Sequence, residues 1–274
     1  VPFKPHRVYP YNKIDLSLLQ LESRRSFSDG NSCMSALPPL VQRPPELMDD
    51  PSLDASQHKE ALRALARIHL VSRTASQLAA CLVALAQDVP STGGQPLRIL
   101  DIACGGGELT TAVAAQIARK VPHRVEVVGL DISERAIGWA TRNHARATEN
   151  LEVTFRTCDV LNDALPSCTL AFHSLFLHHL DDVQAVAQLQ AMAAASQVGF
   201  VFSDLLRTRL GLFLAQLGTR LLSRSSVAHI DGPLSVRAAR TIEEYHHLFR
   251  KAQLPDPTLR RVWPERVCVT WSHS

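Results

Sequence analysis

The stretch Leu97-Arg98-Ile99-Leu100-Asp101-Ile102-Ala103-Cys104-Gly105-Gly106-Gly107-Glu108-Leu109-Thr110 decides how the chain is read. A short apolar run ends in an acid and then in three successive glycines, and a helical pattern follows over 109–120. Glycine allows positive φ and a close approach of backbone to ligand. The helix N-terminus beyond it offers unpaired N–H groups. A dinucleotide-binding turn needs a third, spaced glycine, and Thr110 stands in that place. An acid directly before the turn also suits a cationic ligand better than a diphosphate.

Working outward, the same unit repeats. A β-branched run over 125–130 leads into Gly129-Leu130-Asp131-Ile132-Ser133, with Ser133 placed to cap a helix from Glu134. A carboxylate at such a strand end can accept both hydroxyls of a ribose; its plainer role is to complement the helix dipole. An alternating run over 151–157 leads into Cys158-Asp159-Val160, where Asp159 can accept from an exocyclic amine or simply serve a turn. A fourth run covers 169–175, Asp181 and Asp182 open a helix to about residue 194, and a fifth run covers 199–203. Strands alternating with helices of this size predict an α/β fold with a mostly parallel sheet and helices on both faces. Two last runs, 258–262 and 266–271, read as a closing antiparallel hairpin with Trp263-Pro264 at its turn, and Thr241 with Glu244 reads as a capping box before it.

Composition narrows the classes. With 46% hydrophobic residues in 274, disorder throughout is excluded, and 12 glycines exclude a collagen-like chain. The longest apolar run, 210–222, is broken by Gln216, Thr219 and Arg220, short of the ~20 residues a membrane span needs. The net charge of +3 comes with scattered arginines and no basic block, so no nucleic-acid partner is expected. Six cysteines lie far apart without metal-ligand spacing, and no apolar leader opens the chain, so a cytoplasmic location is expected.

Three segments are expected. Residues 1–50, with prolines at 2, 5, 10, 38, 39, 44 and 45, read as a flexible extension without chemistry of its own. Residues 51–90 read as a helical cap, two helices separated near Ser72 as an N-cap, packed beside the sheet or closing over a ligand. Residues 91–274 form the ligand-binding domain.

Acid-glycine turn, ribose acid and adenine acid, at the ends of three successive strands, make the sequence resemble the class I S-adenosylmethionine-dependent methyltransferases, in their small-molecule, quinone-biosynthesis-like group. The resemblance runs from about residue 55 to the C-terminus and is strongest over 98–182. It implies a Rossmann-like methyltransferase sheet and S-adenosylmethionine as cofactor. It also implies cofactor contacts at Asp101, Ala103, Gly105, Gly107, Asp131, Ile132, Asp159, Val160 and Ser174. Phe172-His173-Ser174-Leu175-Phe176-Leu177-His178-His179-Leu180 matches the motif that faces the transferred methyl group. Thr169 replaces the acid often found at the start of that strand. Relatives acting on catechol-like rings hold a metal through acids in this motif; Leu175 and His178 stand there instead, so no metal is expected.

The acceptor implied is a small, apolar or aromatic molecule, methylated at oxygen or carbon. An oxygen acceptor must lose a proton, and His178 or His179, directly after the fourth strand, can take it; otherwise one of them pins the turn. His229 and Asp231, in a segment read as an extended loop, would face the same side as a base and its orienting acid, or pin the loop. The stripe Leu206, Leu210, Phe213, Leu214, Leu217, Leu221 reads as a packing helix against the sheet, with a lid or weak membrane contact over 206–221 as the alternative. Two rival readings remain: a same-fold protein that binds the cofactor without turnover, and a nicotinamide-dependent oxidoreductase.

Overall fold

Strict alternation along the strands sorts the apolar side chains onto two faces. Leu100 and Ile102, then Ala171, Phe200, Phe202, Val267 and Val269, enter one core. Their chain neighbours Ile99, Leu170, Phe172, Val201 and Cys268 enter the other. A sheet apolar on both faces must be covered on both, which is what parallel strands joined by helices achieve. The computed structural model describes residues 36–38, 46–50, 52–87, 89 and 94–273.

The eight strands are β1 (Leu97–Ile102), β2 (Val125–Asp131), β3 (Arg146–Ala147), β4 (Leu151–Thr157), β5 (Cys168–Ser174), β6 (Ser196–Leu205), β7 (Thr258–Val262) and β8 (Arg266–Ser272). They are ordered β3-β4-β2-β1-β5-β6-β8-β7. β1 runs parallel to β2 and β5, β2 to β4, and β5 to β6. The β7–β8 hairpin joins antiparallel through β8 on β6. The expected α/β class and closing hairpin are therefore present; the two-residue edge strand β3 has no counterpart in the sequence reading. The chain leaves β1 toward β2 and β4, then crosses back to β5 and β6. The order thus reverses between β1 and β5, where their carboxyl ends leave a crevice.

The helices are α1 (Ala55–Val71), α2 (Thr74–Ala86), α3 (Glu108–Ala118), α4 (Glu134–His144), α5 (Asp182–Ala195), α6 (Arg209–Leu222), α7 (Ser226–Ala238) and α8 (Ile242–Lys251). α5 and α8 cover the first face with Leu189, Met192, Tyr245 and Phe249, while α2 and α3 cover the second with Leu78, Leu82, Val113 and Ile117. Ser133 caps α4 as expected, and Asp181 and Thr241 each open a helix with a full capping box. Ser72 does not cap α2. Its N–H completes α1 on the Ile68 carbonyl, and Arg73, at φ 52°, makes the turn between the helices. No single described helix is long and apolar enough to cross a membrane.

Two corrections concern the C-terminal half. Residues 226–238 are not an extended loop but α7, capped by the Ser225 side chain on the Ala228 N–H. The α6 stripe does not pack on the sheet: α6 lies against α7 and α1. Its Phe213, Leu217 and Leu221 stand exposed, while Gly211 and Thr219 face inward. Of the extension, residues 1–35 and 39–45 lie outside the described residues. Its described pieces lie on the body: Leu37 N–H reaches the Arg207 carbonyl, and residues 47–49 form a short 3-10 turn.

Candidate active site

The glycine turn after β1 is built by backbone demands. Ala103, Gly105 and Gly107 all take positive φ, at 56°, 55° and 82°. A Cβ on Gly107 would lie 2.6 Å from Phe155 Cζ and 2.9 Å from Ala140 Cβ, so only glycine fits. Around Gly105 the space is open, which leaves the turn accessible. Asp131, at the end of β2, accepts the Gly105 N–H at 2.8 Å through one oxygen and the Ser133 N–H at 2.8 Å through the other. The two strand ends are thus locked together.

Asp101 is buried, and Thr110 donates to it at 2.6 Å. Burial, with Asp131 nearby and against the Thr110 bond, pushes its carboxyl up to about 8. A buried carboxylate whose partner is a neutral hydroxyl is a seat for a cation. Further along the crevice, Ser174 Oγ at the end of β5 is buried without a hydrogen-bond partner. Ile132 is 61% exposed beside Asp131, and Leu161 is exposed beside Asp159, on neighbouring strand ends. Asp159 itself accepts from the Leu161 N–H and from Asn162 Nδ2, so its carboxylate shapes its own turn, and Val160 is buried in the core.

Across the crevice, the 3-10 turn Leu177–His179 after β5 presents two histidines. His178 Nδ1 lies 2.6 Å from Asp204 Oδ1, and its backbone N–H donates to Asp204 Oδ2 at 3.1 Å. Asp204 lies one residue beyond the Ser174–Ser203 register pair, hence directly behind the turn. His178 Nε2 faces Glu46 Oε1 at 3.5 Å, and His179 Nε2 faces Glu46 Oε2 at 3.9 Å. Burial alone would make His178 harder to charge, but Asp204 and Glu46 outweigh it and raise it to about 10. Burial opposes the charge of Glu46 and Asp204 too, yet the histidines hold both down at about 2.

The groups behind this cluster come from distant segments. Arg240, buried in the fold, donates to the Leu177 and Leu180 carbonyls at 2.6 and 2.7 Å and so clamps the histidine turn. Asp231 accepts the Leu47 and Met48 N–H groups at 2.9 and 3.0 Å, and Ser235 donates to Glu46. α7 therefore fastens the strap that carries Glu46. Residues 1–50 are expected to be flexible and without chemistry of their own, yet Glu46 among them sets its carboxylate against both histidines. His229 and Asp231 do not form a pair: His229 Nε2 lies 2.9 Å from the Ser223 carbonyl, and Asp231 holds the strap.

His173, in β5, is fully buried, stacked on Phe202 with centroids 4.7 Å apart, and both ring nitrogens lack partners. Burial holds it neutral, down to about 4, against the pull of Asp204. The structure thus places Asp101, Gly105, Gly107, Asp131 and Ser174 at or just after the carboxyl ends of β1, β2 and β5, and His178 and His179 on the turn that follows β5. Glu46, Asp204 and Arg240 were missing from the sequence reading. Only Asp204 had a usable signal, since pairing β5 with β6 puts it behind the histidine turn.

Residues 100–200 match the family model described as "Methyltransferase domain". A ubiquinone biosynthesis O-methyltransferase from Sinorhizobium fredii is 33% identical over 87 residues, a stretch covering 32% of this chain and 32% of that protein. Human N-acetylserotonin methyltransferase, solved with S-adenosylmethionine, superposes with a TM-score of 0.57 at 16% identity, covering 80% of this chain and 56% of that one. A plantazolicin methyltransferase solved with S-adenosylhomocysteine gives 0.56 at 17% identity, covering 76% and 74%. An O-methyltransferase family 2 protein from Planctomyces limnophilus, solved with apigenin, gives 0.53 at 17% identity, covering 82% and 63%. At these identities the superpositions speak to the fold.

Proposed function

We propose, from the match of residues 100–200 to the "Methyltransferase domain" model, that the chain is a class I methyltransferase that transfers a methyl group from S-adenosylmethionine to oxygen or carbon of a small apolar or aromatic molecule. One observation carries this reading. Asp101, buried with a neutral partner, lies at the end of β1, while the His178–Asp204 pair lies at the ends of the neighbouring β5 and β6.

The residues present fit the cofactor. Asp101 and the unpartnered Ser174 Oγ suit its amino-acid end, and the Ala103–Gly107 turn gives it close backbone approach. Asp131 suits a ribose, and exposed Ile132 and Leu161 suit the faces of an adenine. When bound, S-adenosylmethionine supplies an activated methyl on a cationic sulfur. The chain's own work is alignment and exclusion of water. On the acceptor side, the charged His178 can orient a hydroxyl, and Glu46 or His179 beside it can take the proton.

Calorimetry with S-adenosylhomocysteine and with NAD separates the candidates: the first should bind and the second should not. Absence of S-adenosylhomocysteine binding sinks the proposal, and binding without transfer to any acceptor favours the inactive relative. His178→Ala should lower turnover about 10²–10⁴-fold, the usual worth of a positioned acid–base group, with S-adenosylhomocysteine affinity held within about twofold.

A second feature bears on the acceptor. Phe213, Leu217 and Leu221 of α6 and Leu70 and Val71 of α1 stand exposed, and Arg67 ties the two helices by donating to the Leu222 carbonyl. This surface supports weak contact with a membrane carrying a lipid-like acceptor. Failure of the protein to float with anionic liposomes at low salt removes that part alone.

A further inference from the structure

We propose that Glu46, His178 and His179 form a binding site for one divalent transition-metal ion of the zinc type, placed to hold the oxygen of the methyl acceptor. The proposal rests on reading the β5–β6 end as the acceptor side. The metal site itself stands on geometry of its own.

The three residues each offer a ligand atom, and these atoms lie within 4.8 Å of one another. His178 Nε2 and Glu46 Oε1 are 3.5 Å apart, and His179 Nε2 and Glu46 Oε2 are 3.9 Å apart. Two ligands each about 2.1 Å from a tetrahedral zinc are separated by roughly 3.4 Å. The two Glu46–histidine separations exceed that spacing by a few tenths of an ångström, and the three ligand atoms together, all within 4.8 Å, must draw in by up to about 1.4 Å to share one ion. Two imidazoles and one carboxylate select borderline ions such as Zn²⁺ or Co²⁺ over Mg²⁺ and Ca²⁺, which prefer oxygen alone. Three protein ligands leave at least one position open.

The surrounding bonds are those a metal site requires. A ligating imidazole normally gives its other ring nitrogen to a carboxylate, which fixes the ring and turns the ligating nitrogen toward the ion. Asp204, fully buried, does this for His178 through Nδ1 and leaves Nε2 directed at Glu46. Arg240 fixes the turn bearing both histidines through two of its carbonyls. Asp231 and Ser235 fix the strap bearing Glu46. Each ligand therefore sits on a segment held from behind, as a preorganised site needs.

An ion here would use the Nε2 lone pair of His178. Ionisation of an acceptor hydroxyl would then come from the charge of the ion, with the proton released to water, and not from the imidazole. The matching acceptor class is a molecule that presents a hydroxyl, such as a phenol or an enol, to the open position.

The test uses the full chain stripped by chelation and titrated with Co²⁺ alone, followed by visible absorption, then displaced with Zn²⁺. The expected result is one equivalent bound with nitrogen–oxygen coordination bands. Glu46→Ala and His179→Ala should each weaken binding at least tenfold, and Asp204→Asn about 10–100-fold, as for groups behind metal ligands. Glu46 and His179 are both partly exposed, so the first two variants can be checked for folding by thermal melts and still read the site. Absence of Co²⁺ bands, or binding undiminished in Glu46→Ala and His179→Ala, overturns the proposal. S-adenosylhomocysteine calorimetry on the same samples separates the two readings. Its binding without Co²⁺ binding overturns the metal site and leaves methyl transfer standing. Co²⁺ binding without it supports the metal site and removes methyl transfer.

Discussion

The carboxyl ends of β1, β2 and β4 and the carboxyl ends of β5 and β6 form two halves of one crevice, but the chain builds them in opposite ways. The cofactor half is made of short loops, each continuing directly from its own strand, from Asp101 to Val160. The acceptor half gathers Glu46, His178, Asp204 and Arg240 from four segments. Their electrostatics differ as well. In the first half a buried carboxylate, Asp101, has a hydroxyl for company. In the second, two carboxylates flank one imidazole and the charges meet internally. On the function proposed above, an incoming cation would ionise Asp101 in the first half, while the second half is already paired and must exchange a partner to bind anything.

The largest effects should come from breaking one half and reading both. Gly107→Ala forces a side chain to φ 82° and to 2.6 Å from Phe155. A left-handed non-glycine residue costs roughly 1–2 kcal/mol, and overpacking adds about 1–3 kcal/mol. Thermal unfolding should fall accordingly, and S-adenosylhomocysteine affinity with it. Arg240→Met is the mirror experiment. It removes the guanidinium from both carbonyls, leaving Leu177 only the Leu180 N–H, and so loosens the histidine turn. Turnover should drop about 10–100-fold, since a displacement near 1 Å can cost that much, while S-adenosylhomocysteine affinity stays within about twofold. Equal losses of affinity in both variants would show that the halves are one unit.

Asp101 gives an effect of intermediate size with a defined sign. Its carboxyl titrates near 8 in the fold, raised by burial and by Asp131, against 3.8 as the ordinary value. Between those values the folded chain binds the extra proton, so stability contributed at low pH is lost as pH rises from about 4 to about 8. Asp101→Asn cannot titrate. Without cofactor, the variant should melt higher than wild type at pH 8.5, by at least about 3 °C, a shift of roughly 1 kcal/mol. Near pH 4 the two should converge. The same variant should bind S-adenosylhomocysteine about 10–100-fold more weakly, the worth of a charge-assisted hydrogen bond in a buried site. Stability gained and affinity lost in one substitution would mark Asp101 as a functional carboxylate; a loss of both would mark it as structural.

The same division explains what could be read from the chain. The acid-glycine turn, Asp131 with Ser133, and the capping boxes at Asp181 and Thr241 are local, and hydrogen bonds across a few residues fix them. The short apolar runs separated by helical stretches announced the mostly parallel sheet for the same reason. The failures share one cause, tertiary placement. Nothing near Glu46 marks it, because its partners lie on β5's turn and on α7. Residues 226–238 contain Gly232 and Pro233 and read as a loop, yet they are helical. Pro233 lies in the helix interior, and packing of Val227, Leu234 and Val236 holds the helix around it. His229 and Asp231 then point as helical neighbours do, not as strand neighbours.

The smallest effect sharpens the comparison most, because it reaches Glu46 through the strap. Asp231→Asn keeps one oxygen acceptor but loses the charge that receives the Leu47 and Met48 N–H groups. A charge-assisted bond of this kind is roughly twice as strong as a neutral one, so the strap should loosen without detaching. Glu46 would then meet His178 and His179 for a smaller fraction of the time. KM for the acceptor should rise about two- to fivefold, a change of roughly 1 kcal/mol or less. Maximal turnover should hold within about twofold, because His178 and its Asp204 and Arg240 supports are untouched. S-adenosylhomocysteine affinity should not move, because among the described residues no hydrogen bond runs from 46–50 to the glycine turn. A fall in cofactor affinity instead would mean that the strap spans the crevice, and that the two halves close together on their ligands.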